Sequence, residues 1–133
     1  MTLQARIKAF SDLGLYLNAV ENQAEIELWA DRASHQNNWF TVENTKKSLK
    51  TIADNYLQED FLTQWTELYE IPDKPETIKS VGVIMAGNIP AVGFHDMMTI
   101  VLSGRAPHSR CVTADGPVQS IDQKQVCQVR HRQ

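Results

Sequence analysis

The chain has 133 residues, 42% hydrophobic and 22% charged, with a formal net charge of −3. That length supports one domain with a real core and excludes two large ones, and the composition is unlike that of a disordered or membrane chain. An acidic balance with no basic stripe interleaved with aromatics argues against nucleic acid as a partner. There is no run of about eighteen apolar residues and no secretory leader pattern at the start, so the expected address is the cytoplasm, with no membrane span.

The predicted elements follow in chain order. In "TLQARIKAFSDLGLYL", Leu3, Ile7, Phe10, Leu13 and Leu17 recur at steps of three and four, which predicts a helix over 2–18 with Thr2 as N-cap. "QAEIELWADRAS" puts Ile26, Trp29 and Ala33 on one face and predicts a second helix over 23–34, ended by the Gln36-Asn37-Asn38 cluster. A third helix is predicted over 41–57, with Thr41 as cap, Glu43 at the positive end of the dipole, and Val42, Leu49, Ile52 and Tyr56 at helical spacing. "EDFLTQWTELY" predicts a fourth over 59–69 through Phe61, Leu62, Trp65, Leu68 and Tyr69. Pro72 and Pro75 make the next stretch a connector.

"SVGVIMA", residues 80–86, is a short continuous apolar run that predicts a strand buried on both faces of a parallel sheet. Helical spacing resumes over 90–102, with Pro90 at the first helical position and Gly104 placed to stop it. Between strand and helix lies Gly87-Asn88-Ile89-Pro90. In an α/β protein the loop at the carboxyl end of a parallel strand opens into the ligand crevice, and Asn88 on a short rigid turn could aim an amide donor at a developing oxyanion. Read on residues alone, Gly-Asn is also an ordinary turn pair and Pro an ordinary helix starter, so the unit can equally be architecture.

The composition breaks after Gly104. Residues 1–104 hold all ten Leu and all ten Phe, Trp and Tyr, while residues 105–133 hold none of these but carry both Cys and five of the thirteen Lys and Arg. Such a tail can bury little apolar surface and is expected to be of low order. Asp115-Gly116 is a weak hairpin signal, with Pro117 counting against good pairing.

The run "VGVIMAGNIPAVGFHDMMTIVLSG", preceded by "NNWFTVENTKKSLKTIA", resembles the N-terminal part of bacterial acyl-CoA reductases related to the fatty acid reductase of the luciferase system, themselves similar to aldehyde dehydrogenases. The resemblance covers roughly residues 1–104. It implies an α/β, aldehyde dehydrogenase-like fold, present here as an incomplete and mainly helical part. In those relatives an Asn-x-Pro turn follows a strand, then come a helix, a glycine and a strand bearing a lysine. By position the implied donor to the thioester or aldehyde oxygen is Asn88, with Gly87 and Pro90 shaping the turn. Phe94, His95 and Asp96 match a family stretch without a named role.

The implied chemistry is attack by a cysteine thiolate on an acyl-CoA or acyl-protein thioester, followed by hydride transfer from NADPH and release of a fatty aldehyde. Neither Cys111 nor Cys127 sits in a matching context, and "RAPHSRCVTADG" stands where the lysine-bearing strand is expected. The chain is therefore expected to be an inactive fragment, ended by a truncation or frame shift near codon 104, with no cofactor bound productively. The alternative is a small helical module that binds a partner through uncovered apolar surface, and an unfinished sheet implies self-association.

Other constellations carry less. His108 and Cys111 with Cys127 and His131 could form a zinc knot, but the spacings are not the usual pairs, and no metal is expected. His95 and Asp96, adjacent on a helix, do not face each other. Trp29, Trp39 and Trp65 read as core, and Lys46, Lys47 and Lys50 as a solvated face.

Overall fold

The computed structural model describes residues 1–86, 90–113 and 116–117. Among these residues five α-helices and a small sheet follow one another as α1 (Leu3–Asn18), α2 (Gln23–Gln36), α3 (Val42–Tyr56), α4 (Glu59–Leu68), β1 (Ser80–Ala86), α5 (Phe94–Leu102), β2 (Ala106–Thr113) and β3 (Gly116–Pro117). The first four helices and β1 lie where the periodicity places them, within two residues at each end. Among the described residues no helix is long and apolar enough to cross a membrane.

Local chemistry sets the helix ends. The Thr2 hydroxyl accepts from the Ala5 amide at 3.2 Å and the Thr41 hydroxyl from the Asn44 amide at 3.1 Å, each satisfying a donor that the first turn would otherwise leave unpaired. At the far end of α5, Gly104 has φ 79 and donates to the Val101 carbonyl at 2.9 Å, while Arg105 donates to Ile100 at 3.1 Å. Helix α4 closes with the same pair of bonds, Glu70 to Glu67 at 3.1 Å and Ile71 to Thr66 at 3.2 Å. There the left-handed position, φ 49, falls on Glu70, a residue with a Cβ.

The core joins α1, α3, α4 and α5 through Ile7, Phe10, Leu17, Ile52, Leu57, Leu62, Met98 and Leu102, with Ile26 from α2. Gly14 allows the close crossing of α1 over the end of α3, since a Cβ there would lie 2.7 Å from the Leu57 Cβ. Phe10 and Phe94 meet edge to face at 6.2 Å and couple α1 to α5.

Beneath this layer Arg6, only 3% exposed, sits inside the apolar face of α1. Its guanidinium donates to the Met1 carbonyl at 3.0 Å and the Pro72 carbonyl at 3.1 Å, and Asp73 accepts from the Leu3 amide at 2.9 Å. Desolvation lowers the Arg6 pKa, partly opposed by Asp73. The proline connector is thereby clamped to the start of α1, so that the helical block and the strand unit share one junction.

Strands β1 and β2 are parallel, in register from Ser80 opposite Ala106 to Ala86 opposite Val112, and β3 pairs antiparallel with β2. Two expectations are corrected here. The stretch after Gly104 supplies a strand, because a ladder needs backbone amides and carbonyls rather than large side chains; among the described residues, none beyond Leu102 joins the core. The β2–β3 pairing, Val112 with Pro117 and Thr113 with Gly116, forms despite Pro117, at the end of the ladder where a missing donor costs least.

A third correction concerns β1, which is not buried on both faces. Val83 is 7% exposed beneath the helices, while Ile84, its neighbour, is 80% exposed. One face of the sheet is covered by α5 and the other is open among the described residues. The architecture is mainly helical with a small parallel sheet.

Candidate functional site

A groove of about 590 Å³ runs between α3 and the segment that leads into α5. Asn44, Lys47, Ser48, Thr51 and Tyr56 line it from α3, spaced so that one helix face presents them all. Pro90, Ala91, Val92, Phe94 and His95 line the opposite wall, and Trp39 stands at the rim. The walls are tied together where the Ser48 hydroxyl donates to the Pro90 carbonyl at 3.0 Å.

That bond bears on the turn singled out in the sequence. Gly87, Asn88 and Ile89 lie outside the described residues, so the assigned donor Asn88 has no stated position. Pro90 is described, and it corrects an expectation. It is not the first helical residue, because residues 90–93 form a turn and α5 begins at Phe94. Ala91 adopts φ 57, in the left-handed region, which breaks any helical path starting at Pro90. The Phe94 amide donates back to the Ala91 carbonyl at 3.0 Å, and a Cβ at Gly93 would run into the Met85 side chain, so the turn folds tightly over β1. Pro90, the last residue of the motif, therefore lies on the groove wall.

A second, smaller pocket of about 230 Å³ adjoins the first. Its lining is Asn55, Phe61, Leu62, Trp65 and Met98, together with Tyr56 and His95, which also belong to the groove. The Tyr56 and His95 rings meet edge to face with centroids 5.5 Å apart. They form the partition between a mixed outer groove and an apolar inner pocket.

The remaining sequence candidates divide as follows. His95 works with Tyr56 and not with Asp96, as expected for adjacent helical positions. Trp29 and Trp65 pack against the core as read, but Trp39 is corrected: it is 79% exposed. It precedes the cap of α3 in a turn held by the Asn37 side-chain oxygen, which accepts from the Trp39 amide at 3.0 Å. The fourth helix is also less buried than its stripe implies, since Phe61, Leu68 and Tyr69 are exposed.

Of the proposed zinc ligands, His108 pairs in register with Gly82 and Cys111 with Met85, while Cys127 and His131 lie outside the described residues. Among the described residues no three His, Cys, Asp or Glu side chains gather as a metal site.

The lysines of α3 are not equivalent. Lys46 pairs with Glu27 at 3.6 Å and Lys50 with Asp54 at 3.2 Å. Lys47, which faces the groove, has no carboxylate within 4.0 Å among the described residues. Sequence reasoning missed this role for α3, because three lysines on one helix look alike until the neighbouring helix supplies Glu27.

Set against protein-family models, curated proteins and solved structures, the chain has no match in any of the three.

Proposed function

We propose that this chain carries the acyl-thioester side of an acyl-CoA reductase of the aldehyde dehydrogenase type, with Asn88 donating to the thioester oxygen. The observation that supports the reading is the order of the α/β unit: strand β1, Pro90 lining a groove, helix α5, Gly104 with φ 79, then the parallel strand β2. The resemblance implies this order, and β2 extends it past the point where the composition changes. A fixed amide donor at the carboxyl end of a parallel strand can stabilise an oxyanion by about 3 kcal/mol.

NADPH is the reductant in such enzymes, and by the resemblance its binding units lie beyond the matching residues 1–104. The reading therefore gives this chain the binding of the thioester alone and predicts no turnover by it.

The test is titration of the purified chain with acyl-CoA and with free coenzyme A, followed by tryptophan fluorescence. Preference for acyl-CoA, weakened in Asn88→Ala, is the expected result, with no NADPH oxidation in a parallel assay. Equal binding of the two, or none, overturns the reading.

A second reading, a non-catalytic module that docks a partner or a second copy of itself, is favoured by the open sheet face at Ile84. Light scattering against concentration distinguishes it, since Ile84→Lys would abolish self-association by this face and leave acyl-CoA binding unchanged.

A further inference from the structure

The groove, the pocket and the unpaired lysine belong to one surface. Leu62 and Met98, both core residues, form the pocket floor; Phe61 and Trp65 form its sides; Tyr56 and His95 stand at its entrance. Beyond that entrance the groove offers Asn44, Thr51 and the cation of Lys47. Polarity thus changes along a single path, from a positive, hydrogen-bonding outer end to an apolar inner end. A site of that profile complements a molecule with an anionic head and an unbranched hydrocarbon tail.

We propose that this path binds a medium-chain acyl group, with the anionic end of the ligand at Lys47 and the hydrocarbon crossing over the edge of the Tyr56–His95 pair into the adjoining pocket. The proposal takes its substrate class from the acyl-thioester reading above and adds to it the chain length and the seat of the charge. Length follows from volume. At about 30 Å³ per methylene, close to the share of one water molecule in the liquid, 230 Å³ holds roughly eight carbons. Charge follows from pairing, because among the described residues Lys46 and Lys50 have carboxylate partners and Lys47 has none. The anion can be the carboxylate of a free fatty acid or a phosphate of a carrier thioester, and both arms enter the test.

The experiment titrates the full chain with straight-chain carboxylates from butyrate to dodecanoate, and separately with octanoyl-CoA, reading the fluorescence of Trp39 at the groove and Trp65 at the pocket. Affinity should rise about fourfold per added methylene and level off near eight carbons. Lys47→Gln, an exposed change that leaves the core alone, should weaken octanoate about threefold, and added salt should reproduce that loss. Octanoate binding that depends on Lys47, combined with octanoyl-CoA binding indifferent to Asn88→Ala, upholds this site while sinking the reductase reading. Affinity independent of chain length, or equal for wild type and Lys47→Gln, overturns the site itself. Absence of any binding overturns it as well.

Discussion

The helical block of α1 to α4 and the strand unit from β1 to β2 are built on opposite terms. In the block, the apolar stripes of α1 and α3 close on one another, and Ile7, Ile52, Leu57 and Leu62 leave the solvent almost completely. In the strand unit the covering is one-sided, so that Val83 is buried and Ile84 is not. A parallel sheet ordinarily has helices on both faces. The difference teaches that the block owes its stability to side-chain packing, whereas the strand unit depends on one helix, a backbone ladder and the Arg6 junction.

That contrast can be broken most forcefully at the core. Ile7→Ala, at a site in α1 that is 2% exposed, should lower stability by about 2–5 kcal/mol, while Ile84→Ala should change it by less than about 0.5 kcal/mol. Urea denaturation followed by circular dichroism measures both, and equal losses would mean that the open face is covered. Next comes the junction. Arg6→Ala removes a buried side chain and both hydrogen bonds it donates, to Met1 and Pro72, and should cost about 3 kcal/mol, with thermal melting as the readout; replacement by Met, which keeps the apolar stem, should recover part of the loss.

Glycine positions sharpen the comparison at smaller scale. Gly14→Ala gains about 1 kcal/mol of helix propensity but drives a methyl group into Leu57, and overpacking at about 1–3 kcal/mol wins, so the variant should melt earlier. The two helix ends of like geometry should respond with opposite signs. Gly104→Ala should cost about 1–2 kcal/mol, and Glu70→Gly should gain about 1 kcal/mol, since only the second relieves a strained left-handed residue. Equal signs in a paired denaturation experiment would refute the shared cap.

The smallest effect lies on the surface of the block. Tyr16 donates to the Glu25 carboxylate at 2.6 Å, and that hydrogen bond is the main cause that raises its pKa to about 12. Its folded value stands above the unfolded value of about 10, so the stability it contributes is complete below pH 10 and is lost as pH rises through about 12. Absorbance titration should show one of the three tyrosines ionising late, and Tyr16→Phe should remove that step.

Much of this was legible residue by residue. The caps Thr2 and Thr41, the helical stripes, the stop at Gly104 and the strand at 80–86 are local signals, and the structure places each where periodicity and capping chemistry put it. The site was legible in part. The Gly-Asn-Ile-Pro stretch was singled out, but the groove that Pro90 lines was not, because its other wall comes from α3, some forty residues earlier, and is joined to it by the bond from Ser48 to Pro90 and the Tyr56–His95 contact.

The sequence by itself determined which segments are helix or strand, because hydrophobic period and end-capping act within a few residues. Tertiary structure alone decided what those segments mean for one another. It buried Arg6, exposed Trp39 and Ile84, gave Lys46 and Lys50 but not Lys47 a carboxylate partner among the described residues, and made a strand of residues 106–113. The physical reason is that burial, charge pairing and ladder formation depend on the neighbour that packs or pairs there, and that neighbour lies far away in the chain.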